Sequence, residues 1–214
     1  MPIEQVVTVP LPRCGAVSLP RSGAAALWDA LTAAGRSLTG ATRVVVLRGQ
    51  GSELVDGAGA DGSSDEPPWD AIEWLARPDV ITIASVSGRT TGAEFDAALA
   101  CDLRIVADDA QLAPSRSVSG VARLGELMGY SRALEFVVTG AAISGRVAVT
   151  VGLANLSVGP EMLDAAVAEM VATVLRTPRE VATVAKAVLR ESAADRHRLA
   201  GGLAAGIALA ANET

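Results

Sequence analysis

One stretch of the sequence concentrates residues that could do chemistry. Residues 88–117 read GRTTGAEFDAALACDLRIVADDAQLAPSRS, a Gly-rich turn that leads into an Ala-rich helix carrying Asp96. A carboxylate near the start of an apolar helix can move a proton or orient a water if it faces a pocket. It can also do no more than stabilise the positive end of the helix dipole. The residue types leave both interpretations open.

A second Gly-rich stretch, DGAGAD at residues 56–61, follows the apolar run VVVLRG. Backbone N–H groups at such turns point outward without a helical partner. Two of them that converge on one point could hold an oxygen that becomes negatively charged during a reaction. The alternative is that Gly and Ala are present only because the turns are tight.

The composition argues against several classes of function. The 214 residues carry a net charge of −6 with a pI of about 4.9, which disfavours nucleic acid and anionic membranes as partners. One histidine, His197, and two cysteines, Cys14 and Cys101, show no metal-ligand spacing. No segment offers about 20 uninterrupted apolar residues, and the N-terminus lacks the features of a signal peptide. We therefore expect a cytoplasmic protein that does not bind a membrane or a metal.

Strands and helices alternate along the first half of the sequence. The runs VVTVPL, GAVSL, TRVVVLRG and VITIASVSG are typical of strands, whereas AALWDALTAAGRSL and WDAIEWLAR have helical periodicity. From Leu124 onward the pattern is helical. The sequence thus predicts an α/β fold with a core over residues 1–140 and a C-terminal helical region over residues 141–214. Segment 50–66, rich in Gly and Ser, is expected to be a flexible loop.

Three ordered motifs resemble the crotonase (enoyl-CoA hydratase/isomerase) superfamily. They are AGAD, then SVSGRTTGAEFDAALACDLRIVADDAQLAPS, then GYSRALEFVVTGAAISGRVAVTVGLAN. The resemblance runs from about residue 14 to about residue 195 and keeps order and spacing. It implies the ClpP/crotonase-like ββα spiral core with a C-terminal α-helical region, truncated here because the chain stops soon after KAVLRESA. It also implies an acyl-CoA thioester as ligand and a homo-oligomer, a trimer or hexamer.

The resemblance assigns roles residue by residue. The backbone N–H groups of Ala60 and Ala93 would form an oxyanion hole, and Asp96 stands where the hydratases have the first of two catalytic glutamates. The neighbouring positions implied to contact the substrate are Ala58, Gly59, Asp61, Gly92, Ser115 and Arg116. Coenzyme A enters only as part of the substrate, so no separate cofactor is expected.

The second glutamate of the hydratases is missing. Depending on a one-residue shift, Ser115 or Arg116 occupies its place, and neither can act as a carboxylate acid or base. Glu94 is a second choice as base and is expected to be solvated. Glu126 in RLGELMG is the one carboxylate near the missing glutamate that could compensate for it, but we expect it to lie on a solvated helix face. Trp69 and Trp74 either line an acyl tunnel or belong to the core.

The residues after the helix are expected to be structural. Cys101 fits a buried thiol better than a nucleophile, and Asp102 is expected to satisfy backbone groups at the end of the helix.

Three functions remain open at this point. The first is an enoyl-CoA hydratase- or isomerase-like enzyme with one catalytic carboxylate, suited to α-proton transfer, a double-bond shift or an aromatising dehydration. The second is a non-catalytic acyl-CoA-binding protein that kept the fold. The third is an accessory protein that assists a type III polyketide synthase. A single carboxylate disfavours water addition, since hydration needs both a base for water and an acid for carbon.

Overall fold

The computed structural model describes residues 6–10, 22–48, 67–114 and 117–192. Eight strands and eight helices lie in these ranges, together with two short 3-10 helices, Glu73–Ala76 and Pro160–Met162. In chain order they are β1 (Val6–Pro10), α1 (Ser22–Ser37), β2 (Val44–Arg48), α2 (Trp69–Ile72), β3 (Ile81–Val86), β4 (Arg89–Thr90), α3 (Gly92–Ala100), β5 (Leu103–Ala107), β6 (Gln111–Leu112), α4 (Val118–Met128), α5 (Tyr130–Thr139), β7 (Ile143–Ser144), α6 (Gly145–Thr150), β8 (Leu156–Val158), α7 (Leu163–Arg176) and α8 (residues 179–192).

The main sheet has five parallel strands in the order β1-β2-β3-β5-β8. Four successive residues of β2, Val44 to Leu47, are each 2% exposed or less. Because successive side chains of a strand point to opposite faces, this sheet is covered on both sides. Helices α1 and α3 lie in the connections between parallel strands, as crossovers require. The predicted α/β class is confirmed.

A second, small sheet joins the two parts of the stretch singled out in the sequence. Its order is β4-β6-β7, with β4 and β6 parallel. The N–H of Gln111 donates to the carbonyl of Gly88 at 2.9 Å, and the N–H of Ala113 donates to the carbonyl of Thr90 at 3.0 Å. The turn before α3 and the segment after β5 therefore run side by side.

The region predicted as helical from Leu124 onward does contain helices α5 to α8, but it also contains strands β7 and β8. Strand β8 completes the main sheet beside β5. Strands of two or three residues are too short to show a period in sequence, so the pattern did not predict them. The predicted strand GAVSL and loop 50–66 lie outside the described residues.

Helix α3 is the most enclosed helix that positions the site. All six residues from Glu94 to Leu99 are buried, and α3 contacts β3, α1 and α4. Within the described residues, no helix combines the length and the hydropathy needed to cross a bilayer.

Candidate functional site

The site begins at the first turn of α3. Thr91 precedes the helix in an extended conformation, and its side chain makes no capping hydrogen bond. Gly92 has a φ of 57°, in the left-handed region that only glycine adopts readily. An ideal Cβ at Gly92 would meet no atom of the described residues within 4 Å. Thr91 thus leaves the first N–H groups of the helix, that of Ala93 included, without a hydrogen bond from its own side chain, at the helix end where the dipole favours negative charge.

Two buried carboxyl groups follow in the same turn. Asp96 is 6% exposed and Glu94 is 3% exposed, and neither is without an interaction partner. The expectation that Glu94 is solvated is wrong, because α3 is enclosed on every side and offers no solvated face. Residues two apart on a helix do not face each other, so the two acids lie in different surroundings.

The segment after β6 lies next to this turn. Ala113 and Pro114 follow the strand, and Ser117 caps the start of α4, where its Oγ accepts a hydrogen bond from the N–H of Gly120 at 3.0 Å. Ser117 is fully buried. Thr90, one residue before the cap of α3, has a buried Oγ1 without a hydrogen-bond partner in the described part of the chain. Such an atom costs free energy unless something else satisfies it.

Several residues predicted for the site cannot be placed. Those outside the described residues are Ala58, Gly59, Ala60, Asp61, Ser115 and Arg116. Their roles therefore stay predictions. Of the predicted site residues, Gly92, Ala93 and Asp96 are described, and all three lie in the first five residues of α3.

Cys101 is a buried structural thiol, as predicted. It is fully buried, and its Sγ donates to the carbonyl of Ala97 at 3.4 Å. Burial raises the pKa of the Cys101 thiol to about 12, so almost no nucleophilic thiolate exists at neutral pH.

Asp102 is held by four hydrogen bonds. Its Oδ2 accepts from the backbone N–H of Thr82 at 2.8 Å, from the Thr82 hydroxyl at 2.9 Å and from Lys186 Nζ at 2.7 Å. Its Oδ1 accepts from Arg190 at 3.1 Å. Asp102 was predicted to satisfy backbone groups at the end of the helix. It does accept from a backbone N–H, but that N–H belongs to Thr82 on β3.

Two more sequence interpretations can be decided. Trp74 is 7% exposed and belongs to the core, where it packs against Gly35. Glu126 is exposed on α4 and forms a surface ion pair with Arg123 at 2.6 Å, as expected of a solvated residue.

The sequence reasoning did not identify the residues that hold the far end of α3. Lys186 and Arg190 on α8 reach Asp102, and Arg104 on β5 reaches the carbonyl of Cys101 at 2.8 Å. One signal was present, since Lys186 is the only lysine in the sequence. Its three hydrogen bonds, to the carbonyls of Leu75 and Val80 and to Asp102, are visible only in the structure.

Comparison with known proteins decides the family. The family profile described as enoyl-CoA hydratase/isomerase matches residues 36–209, which is most of the chain. The chain belongs to the enoyl-CoA hydratase/isomerase family. The crotonase resemblance noted in the motifs is thereby confirmed.

Relatives and solved structures of this family give the degree of similarity. The probable enoyl-CoA hydratase echA6 of Mycobacterium leprae is 36% identical over 128 residues, which are 53% of this chain and 51% of that protein. The chain thus spans about half the length of the curated relatives it matches. A Thermobifida fusca YX protein crystallised with acetoacetyl-CoA has a TM-score of 0.70 and 28% identity, over 92% of this chain and 90% of that chain.

A third comparison is with an enzyme of stated activity. The monofunctional enoyl-CoA isomerase of Mycobacterium smegmatis has a TM-score of 0.69 and 26% identity, over 88% of this chain and 89% of that chain. The crotonase fold predicted from the motifs is therefore confirmed.

Proposed function

We propose that this protein binds an acyl-CoA or enoyl-CoA thioester and stabilises its enolate, with Asp96 as the single acid/base. The thioester oxygen lies between the backbone N–H groups of Ala60 and Ala93. The coenzyme A of the substrate is the only cofactor-like group required. The protein acts as a homo-oligomer, a trimer or hexamer, which light scattering of the intact protein can test.

The observation that carries the proposal is the first turn of α3. It presents the N–H end at Ala93, to which the Thr91 side chain makes no capping hydrogen bond, and a buried carboxyl group at Asp96, one turn apart on one helix. Preorganised N–H groups stabilise a developing oxyanion strongly because they need no rearrangement during the reaction. The complex of the Thermobifida fusca relative with acetoacetyl-CoA supports a CoA thioester as the ligand class.

The reaction that this arrangement supports is proton transfer at the α-carbon. The Asp96 carboxylate takes the α-proton, and the electron pair of the broken C–H bond moves to the thioester oxygen to form the enolate. The same carboxyl group then returns a proton to the α- or γ-carbon. One carboxylate suffices for this sequence, whereas hydration needs a second group to activate water.

The test is deuterium exchange at the α-carbon of a panel of acyl-CoA and enoyl-CoA thioesters in heavy water. Wild type is compared with Asp96→Asn, and Glu94→Gln is the matched control because it removes the other buried carboxyl group of the same turn. We expect exchange by wild type and by Glu94→Gln, and a loss of about a hundredfold or more in Asp96→Asn with thioester affinity retained. Exchange that survives in Asp96→Asn and disappears in Glu94→Gln would assign the base to Glu94 instead.

A second candidate is a binding or accessory protein without chemistry of its own. It is favoured by the sequence itself, since Ser115 and Arg116 stand where the hydratases have their second glutamate. This candidate predicts thioester binding with no exchange by wild type. An accessory role beside a type III polyketide synthase predicts an effect only when the synthase is present, seen as more aromatised product from the same polyketide thioester.

A further inference from the structure

The carboxyl end of α3 is capped by side chains from several elements. The last four carbonyl groups of an α-helix have no partner within the helix, and in α3 each of the four accepts a side-chain donor. From Ala97 to Ala100, the donors are Cys101 Sγ at 3.4 Å, Arg104 Nη1 at 3.4 Å, Arg123 Nε at 3.4 Å and Arg190 Nη2 at 3.5 Å. Three guanidinium groups thus surround the negative end of the helix dipole, which stabilises the helix.

These cations come from three different elements. Arg104 lies on β5, Arg123 on α4 and Arg190 on α8. The charge of Arg104 is buried at 3% exposure, and burial lowers the pKa of its guanidinium to about 10, so it remains charged at neutral pH. Helix α3 is therefore held at one end by the sheet and by two helices at once.

Helix α8 contributes a second contact through Lys186. Its Nζ donates to the carbonyls of Leu75 at 2.7 Å and Val80 at 2.6 Å, and to Asp102 Oδ2 at 2.7 Å. These three bonds use all three donors of an ammonium group. The Lys186 side chain is 4% exposed and that of Asp102 is 16% exposed, so the pair is largely removed from water.

The geometry explains why the only lysine of the sequence lies here. Three acceptors around one nitrogen suit a compact ammonium, whereas the planar guanidinium of arginine spreads its donors along a wider fork. Burying the pair costs free energy that only good geometry offsets. A contact of this kind holds α8 in one position against Asp102, the second residue after α3.

We propose that Lys186 and Arg190 are positioning residues that use α8 to set the place of the oxyanion end of α3. The inference rests on the proposed function, because the proposed function assigns the amino end of α3 to the binding of the thioester oxygen. Helix α3 has nine residues and is about 13 Å long, so a displacement at Asp102 moves the whole short helix. A shift of about 1 Å in a catalytic group can lower a rate by about a hundredfold.

The experiment uses the full-length protein with the substitutions Lys186→Met and Arg190→Met. The matched control is Arg179→Met on the same helix, since Arg179 donates to the Gly40 carbonyl at 2.7 Å and to Asp79 at 3.4 Å and not to α3. Two readouts are taken on folded protein: the α-proton exchange rate, and the 13C shift of a thioester carbonyl labelled with 13C and bound as acyl-CoA. The carbonyl shift reports how strongly the oxyanion donors polarise the bond.

We expect Lys186→Met and Arg190→Met to lower the exchange rate by about tenfold or more. The carbonyl shift should move toward that of free thioester, with thioester affinity within about threefold of wild type. Arg179→Met should leave both readouts unchanged. If Lys186→Met does not fold, the test uses Arg190→Met. The Arg190 side chain is 32% exposed, so its replacement disturbs the core less than replacement of Lys186.

Three results would overturn the inference. The first is a wild-type carbonyl shift and exchange rate in folded Lys186→Met and Arg190→Met, even if they unfold at lower temperature, since the contact would then only stabilise the fold. The second is an equal loss in Arg179→Met, which would make the effect a general one of α8 docking. The third appears in wild type alone: a bound thioester that is neither polarised nor exchanged refutes the proposed function, and the positioning role with it.

Discussion

Two glycines inside helices should respond in opposite directions to the same substitution. Gly35 lies in α1 and Gly125 in α4. An ideal Cβ at Gly35 would lie 2.4 Å from Cδ1, 2.7 Å from Cγ and 2.9 Å from Nε1 of Trp74, whereas one at Gly125 would meet none of the atoms that the structure describes within 4 Å. We expect Gly35→Ala to destabilise the protein and Gly125→Ala to stabilise it.

The magnitudes follow from two terms. Alanine in place of glycine within a helix favours folding by up to about 1 kcal/mol, and Gly125→Ala should gain most of it. At Gly35 the Trp74 ring would have to move by more than about 1 Å to reach an ordinary carbon–carbon contact of about 3.5 Å. Trp74 is 7% exposed, so the ring is enclosed, and overpacking of this kind costs about 1–3 kcal/mol. The net loss for Gly35→Ala is therefore about 1 kcal/mol.

The measurement is thermal and urea unfolding of both variants beside wild type. In a domain of this size, 1 kcal/mol shifts Tm by about 2–4 °C, so the two variants should differ by about 4–8 °C. Gly125→Ala is the control that shows the helix-propensity gain in this protein. A Gly35→Ala variant as stable as Gly125→Ala would refute the tight contact between α1 and Trp74.

Two further predictions concern titratable groups. Because burial raises the pKa of the Cys101 thiol from 9.0 to about 12, thiolate at pH 8 is about a thousandfold scarcer than in a free thiol. In a Cys14→Ser background, iodoacetamide should therefore alkylate Cys101 at least about a thousandfold more slowly than it alkylates a free thiol. A rate near the free-thiol value would contradict the burial of Cys101. Burial also lowers the pKa of Lys186 below 10.5, with Asp102 opposing the shift. Between the lowered pKa and 10.5 the unfolded chain binds more protons, so the Lys186 contribution to stability rises with pH in that window. The single lysine 15Nζ signal should titrate below 10.5, and a midpoint at or above 10.5 would contradict the burial.

Most of the secondary structure around the site could be predicted from sequence, because it depends on near neighbours. The apolar run before Arg48 predicts β2, and the turn before Ala93 predicts the start of α3. Strands β7 and β8 could not be predicted, since two or three residues carry no period. Burial of Glu94 was also missed, because a helix that is enclosed on all sides has no polar face to mark its outer positions.

The sequence by itself determined the family, the α/β class, and the helix start that places Ala93 and Asp96 one turn apart. These properties follow from motifs and turns whose residues are close along the chain. Only the tertiary structure decided which side chains hold the other end of α3. Lys186 and Asp102 are separated by 84 residues, and their contact depends on how α8 lies against Leu75, Val80 and the end of α3. Local sequence patterns determine which helix forms. A buried charge needs a partner, since burial without one costs too much free energy. That partner is supplied by the packing of segments that are distant along the chain.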